Sequence, residues 1–258
     1  MIQILRNLGK SVYRRARSIT NIQRFPRWFW NDLTEYNSRC EDSLIKNPAK
    51  RSDLYPILNE RTSSVEFDPH YVYHVAWAAR VLARTRPSHH VDFGSLSHFV
   101  TVCSAFMPIT HYDYRTPEFN VDGLENGNAN LTNLPMGDGV FTSVSCMHVI
   151  EHIGLGRYGD TVDPDGDRKA IQELQRVTAP GGQLLFVVPV GRERVMFNAH
   201  RVYGYDTIVD AFNEMQLKEF SLISMRGKAS LIGNADPLLV ENEDYGCGCF
   251  LFIKRAGL

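Results

Sequence analysis

From residue 90 onward the chain alternates apolar runs of strand length with amphipathic stretches of helix length, and this alternation limits its fold most. Strand-like runs fall at 90–93, 109–112, 141–146, 183–188, 220–225 and 248–253. Helical periodicity marks 96–106, a stretch near 169–177 and another around 207–215. Strands joined through helices by short links form a mainly parallel sheet with helices on both faces. The expected architecture is a doubly wound α/β sheet. One more helix precedes it: Asp68 suits the N-cap and Pro69 the first helical position, and Arg86-Pro87 stops it. Val72, Val75, Ala79 and Leu82 mark its expected buried face.

Residues 1–60 read as a basic helical extension and 61–258 as the α/β domain. Apolar residues Ile2, Leu5, Leu8, Val12, Ala16 and Ile19 form a helical stripe. Up to Asn31 there are seven basic residues and no acidic one; the rest of the chain carries −8 to bring that +7 to the net −1. An acidic body argues against a nucleic-acid-binding surface. Behind the stripe, Phe25-Pro26-Arg27-Trp28-Phe29-Trp30 places a proline where a helix should end. Residues 1–30 fit either a peripheral contact with an anionic membrane or a helix packed on the domain or on a partner subunit, which leaves an oligomer open. The longest apolar run, 184–190, is too short to cross a bilayer. Five cysteines without framework spacing read as free thiols of a reducing cytoplasm. Cys247 and Cys249 suit same-face packing in a strand, with a redox or metal pair as the alternative.

The first strand ends Val91-Asp92-Phe93-Gly94-Ser95, where Gly94 permits a sharp turn and close ligand approach. A dinucleotide cradle would need further glycines, which are missing. Asp113 follows 19 residues after Gly94, at the end of the second strand. A carboxylate there offers two acceptor oxygens to a ribose.

Three segments then resemble class I S-adenosylmethionine-dependent methyltransferases. Gly127-Asn128-Ala129-Asn130-Leu131-Thr132-Asn133-Leu134-Pro135 is similar to the stretch before their fourth strand. Phe141-Thr142-Ser143-Val144-Ser145-Cys146-Met147-His148-Val149-Ile150-Glu151-His152-Ile153 resembles that strand and its following turn. Glu173-Leu174-Gln175-Arg176-Val177 and Pro180-Gly181-Gly182-Gln183 match the next helix and turn. The resemblance covers roughly 91–189 and implies a Rossmann-like fold binding S-adenosylmethionine. The cofactor positions it implies are Asp92, Phe93, Gly94, Ser95, Asp113, Tyr114, Asn128, Ala129, Cys146 and Met147. Two departures stand out: the first loop keeps one glycine, and Asn128 stands where an aspartate commonly meets the adenine amino group. More narrowly, Gly156-Arg157-Tyr158-Gly159-Asp160, Asp163-Pro164-Asp165-Gly166-Asp167 and Phe197-Asn198-Ala199-His200-Arg201 resemble an uncharacterised nematode and bacterial family. Its bacterial members often accompany polysaccharide-biosynthesis genes, which implies a sugar or glycan acceptor.

Methyl transfer to a hydroxyl needs a base, and histidine suits that work near neutral pH. His148, His152 and His200 are the candidates; a helix starting after the fourth strand would put the first two on one face. His200 is favoured, in a polar loop with Arg201, Tyr203 and Asp206 as substrate contacts. Asp163, Asp165 and Asp167 resemble an oxygen-ligand metal loop, yet a turn with a helix N-cap explains them better, and no metal is assigned. The expected function is a cytoplasmic O-methyltransferase acting on a sugar, peripheral at the inner face of the membrane if the N-terminus docks there. The rivals are a lipid or quinone methyltransferase and a non-catalytic scaffold of the same fold.

Overall fold

The computed structural model describes residues 25–44 and 46–256; the helical stripe from Ile2 to Ile19 lies outside the described residues. Contacts divide the chain into Met1–Glu66 and Phe67–Leu258. In the first unit Pro26 stands ahead of a helix, Arg27–Arg39, rather than after one. Its missing N–H costs nothing there, because the first N–H groups of a helix lack partners in any case. Asn37 holds the returning chain by two hydrogen bonds with Ala49, at 2.8 and 3.1 Å. Arg61 lies 4.9 Å over the Trp28 ring and bonds Asp32 at 3.2 Å.

The second unit holds ten strands: β1 (His90–Phe93), β2 (Ile109–Asp113), β3 (Leu124–Asn128), β4 (Phe141–Met147), β5 (Thr178–Val190), β6 (Arg194–Met196), β7 (His200–Val202), β8 (Met215–Ser224), β9 (Ser230–Ile232) and β10 (Gly246–Lys254). Eight form one sheet in the order β3-β2-β1-β4-β5-β10-β8-β9, and β6 pairs with β7. The first five neighbours are parallel, whereas β10 is antiparallel to β5 and β8. Strand order reverses between β1 and β4. The fold is Rossmann-like, as the alternation predicts.

Both faces of the sheet are covered, so its central strand β5 is apolar on both sides over residues 184–188. Leu184, Phe186 and Val188 of β5 pack with Ala170, Ile171 and Leu174 of the helix Gly166–Val177. Leu185 and Val187, between them, face the other way, toward Trp77, Val81 and Leu82 of the helix Pro69–Thr85. Cys247 and Cys249 join this second cluster from one face of β10, as expected.

Asp68 caps the helix Pro69–Thr85 by accepting from His70 N (3.0 Å) and Tyr71 N (3.4 Å). The buried face, however, differs from the predicted one. Val72 is 47% exposed, while His70, His74, Trp77, Ala78 and Val81 are buried together with Leu82. Spacings of four and three define this stripe too, but two of its members are imidazoles and escape a search for apolar residues.

A polar line crosses the core. Asp92 Oδ2 accepts from His111 Nδ1 (2.8 Å) and Ser95 N (3.0 Å), and Oδ1 accepts from the Ser145 hydroxyl. His90 joins Ser143 (2.7 Å) and Ser145 (2.9 Å), and Gln183 donates to Ser143 (2.9 Å). Burial pushes the Asp92 carboxyl up, but its hydrogen bonds outweigh burial and hold it below the usual range.

Candidate active site

A cavity of about 220 Å³ opens at the carboxyl ends of β1, β2 and β4, beside the reversal of strand order. Open α/β sheets bind ligands at that place. Gly94, at φ +71, turns the chain there, and a Cβ would stand 3.1 Å from both Val149 methyls. Tyr112 stacks on Phe93 with centroids 5.6 Å apart. Gly127 makes room for it, since a Cβ would fall 2.4 Å from the Tyr112 ring. Asp113 ends β2 in the cavity wall and accepts from Arg115 N through Oδ1 at 2.7 Å.

Of the implied cofactor positions, Phe93, Gly94, Asp113, Tyr114 and Ala129 line the cavity. Four others face the core. Asp92, Ser95, Cys146 and Met147 are buried, and the Ser95 hydroxyl accepts from Met147 N at 3.1 Å. Asp92 and Cys146 each stand one residue before the end of their strand and are fully enclosed. Asn128 spends its amide on the carbonyls of Asp113 (3.2 Å) and Tyr114 (2.9 Å), bracing β2 against β3, and Asn130 lines the cavity instead.

The opposite wall comes from the segment after β4. His148 and His152 both line the cavity, but no helix face joins them: His148 has φ 56, and only the 3-10 turn Ile150–His152 follows. Glu151 joins them. Its Oε1 is 2.8 Å from His148 Nδ1 and 3.8 Å from His152 Nε2, and Oε2 has no partner among the described residues. Burial pushes this carboxyl up to about 7. His152 donates from Nδ1 to Ala199 O at 2.6 Å, which leaves Nε2 with its lone pair. Burial also lowers the His152 pKa, so the ring is neutral and able to accept a proton.

Beyond His152 the wall is polar and aromatic. Tyr158 lies 5.8 Å from His152, with the guanidinium groups of Arg115 (4.2 Å) and Arg157 (5.1 Å) over its ring. Asp160 shapes this loop by accepting from the backbone N–H groups of Gly154, Gly156 and Tyr158. The three-aspartate run makes a turn and a helix start. Asp163 pairs with Lys169 at 2.6 Å and accepts from Asp165 N, Asp165 stands at the N-cap, and Asp167 accepts from the Tyr203 hydroxyl at 2.9 Å.

The segment carrying His200 is a strand, β7, rather than a loop. His200 sits behind His152, with ring centroids 6.3 Å apart, and its buried Nε2 has no partner among the described residues. Arg201 and Tyr203 do not reach the cavity. Both are buried; Arg201 donates to Ile153 O at 2.6 Å and Tyr203 bonds Asp167. Asp206 is exposed in the first turn of the helix Tyr205–Ala211, where a carboxylate suits the helix dipole. The residues missed from sequence are Glu151, Tyr158, His70, His74 and Tyr245. The last stacks on His70 at 4.9 Å and lies 5.2 Å from His200. Glu151 and Tyr158 lie in segments that resemble known families, and His70 and His74, four apart behind a strong N-cap, offered a signal of their own.

The family model described as "Caenorhabditis protein of unknown function, DUF268" matches residues 133–224, less than half of the chain. Among solved structures, the N-methyltransferase NodS from Bradyrhizobium japonicum, in complex with S-adenosyl-L-homocysteine, is similar with a TM-score of 0.52 and 15% identity over 74% of this chain and 90% of that one. The putative methyltransferase in complex with the Haloferax volcanii Trm112 activator gives 0.51 and 16%, over 74% and 92%. YcgJ from Bacillus subtilis gives 0.50 and 13%, over 72% and 100%. No curated protein sequence matches. The fold is that of class I S-adenosylmethionine-dependent methyltransferases.

Proposed function

We propose that this chain is an S-adenosylmethionine-dependent O-methyltransferase whose acceptor is a sugar hydroxyl of a glycan or of its lipid-linked or nucleotide-linked precursor. One observation carries the reading: a single cavity has a cofactor-type wall at β1 and β2 and a histidine–carboxylate wall after β4. The first wall fits the cofactor. The turn at Gly94 keeps side chains out of its path, and among the described residues the Asp113 carboxylate bonds through Oδ1, which leaves acceptor capacity for ribose hydroxyls. NodS, similar in fold, was solved with the demethylated form of the same cofactor. Bound there, the cofactor supplies an electrophilic methyl group.

The chain's own residues do the rest. His152 Nε2 accepts the hydroxyl proton as the acceptor oxygen attacks, and the hydrogen bond to Ala199 O fixes the ring for it. Glu151, 3.8 Å away, stabilises the imidazolium that results. Arg115 and Asp160 in the cavity wall supply hydrogen-bonding groups and Tyr158 an aromatic ring, as a sugar requires. That polar wall favours a sugar over a lipid or quinone.

The test is an assay of the full chain with S-adenosylmethionine against nucleotide sugars, lipid-linked sugars and oligosaccharides, with quinones and phospholipids in parallel. S-adenosylhomocysteine should form together with an O-methylated sugar. A methyl group delivered to the quinone or lipid and to no sugar contradicts the acceptor class.

A further inference from the structure

We infer that His70, His148 and Cys247 form a binding site for a zinc-type divalent cation. Three segments far apart in sequence meet there: the first turn of the helix Pro69–Thr85, the residue after β4 and the second residue of β10. One ligand atom from each residue lies within 4.8 Å of the other two. His148 Nε2 and Cys247 Sγ are 3.4 Å apart. Bond lengths of about 2.0–2.1 Å for zinc–nitrogen and about 2.3 Å for zinc–sulfur place tetrahedral N and S ligands roughly 3.5 Å from each other. Two of the three ligands are therefore already at coordination distance.

The third is ready to join them. His70 is 4% exposed, and its Nε2 is buried without a hydrogen-bond partner among the described residues. A buried polar atom left unpaired is costly, and a bound cation accounts for it. His148 also carries the outer partner usual for a metal-bound imidazole. Its Nδ1 is 2.8 Å from the Glu151 carboxylate, which fixes the tautomer that aims the Nε2 lone pair at the site. Its backbone, at φ 56, adopts a conformation uncommon outside glycine, and structure of that kind persists where its surroundings require it.

The donor set selects the ion. Two imidazoles and a thiolate suit a borderline-soft cation such as Zn²⁺ and disfavour Mg²⁺ or Ca²⁺, which take oxygen ligands. Coordination converts the Cys247 thiol to thiolate and releases its proton to solvent. Three protein ligands leave a fourth position for water or another oxygen donor. The site binds with or without methyl transfer, and its test uses neither the methyl donor nor an acceptor.

The full chain, stripped with chelator and titrated with Zn²⁺, should bind one ion at this site. His70→Ala and Cys247→Ser should each weaken binding by more than the roughly 10–100-fold that loss of an outer partner costs. Cys103→Ser, a buried thiol on the helix Ser97–Cys103, should leave affinity unchanged. Titrated with Co²⁺ instead, the chain should show a sulfur-to-cobalt charge-transfer absorption that disappears in Cys247→Ser. That variant nearly preserves side-chain volume, so the cobalt spectrum decides even if His70→Ala fails to fold. Absence of the band in the unmodified chain, or its persistence in Cys247→Ser, would overturn the site.

Discussion

His152 and His200 are neighbours, yet only His152 stands in the cavity wall with a free lone pair fixed by a backbone hydrogen bond. His152→Ala should therefore lower kcat by ~10²–10⁴-fold, the usual worth of a general base, with cofactor affinity nearly intact. His200→Ala should cost clearly less and act through the position of the His152 ring. Steady-state kinetics on the two folded variants checks the order, and the reverse order would return the base to His200. Residue type explains why the sequence favours His200: its neighbours Arg201 and Tyr203 are the groups a sugar site uses. Their burial against Ile153, Pro164 and Asp167 is a tertiary fact that no local pattern carries. Gly94 and Asp113 were legible because a strand end followed by glycine, or by a carboxylate, has meaning in one dimension. Glu151 was not, since only the fold puts its unpaired oxygen in the core.

The elements β1, β4 and β5 are held together by the polar line as well as by their apolar faces. His90, on β1, hydrogen-bonds two serines of β4, and burial lowers its pKa to about 4. The folded chain thus keeps this ring neutral at pH values where the unfolded chain protonates it. The contribution to stability is complete above the unfolded value of about 6.5 and is lost as pH falls toward 4, with a slope of up to roughly 1.4 kcal/mol per pH unit. Chemical denaturation at several pH values should show this acid loss, and His90→Gln should flatten it. An unchanged slope in that variant would mean that His90 titrates alike in both states. The sequence outlines β5 well, because a parallel strand covered on both faces reads as a continuous apolar run, here residues 184–188. It misses β3, where Leu124 is the one buried residue, and β6 and β7, three residues each.

At the scale of the molecule, strand–helix alternation was enough to foresee the doubly wound sheet. The antiparallel entry of β10 between β5 and β8 is a pairing of distant segments, and periodicity says nothing of partners. The proposed function requires that this cavity bind S-adenosylmethionine, with Asp113 on the ribose. Isothermal titration calorimetry of the full chain and of Asp113→Ala tests it most directly. One site per chain is expected, weakened by roughly 1–3 kcal/mol in the variant because a charged hydrogen-bond partner is lost. No binding by the unmodified chain, or unchanged affinity in a folded Asp113→Ala variant, would contradict it.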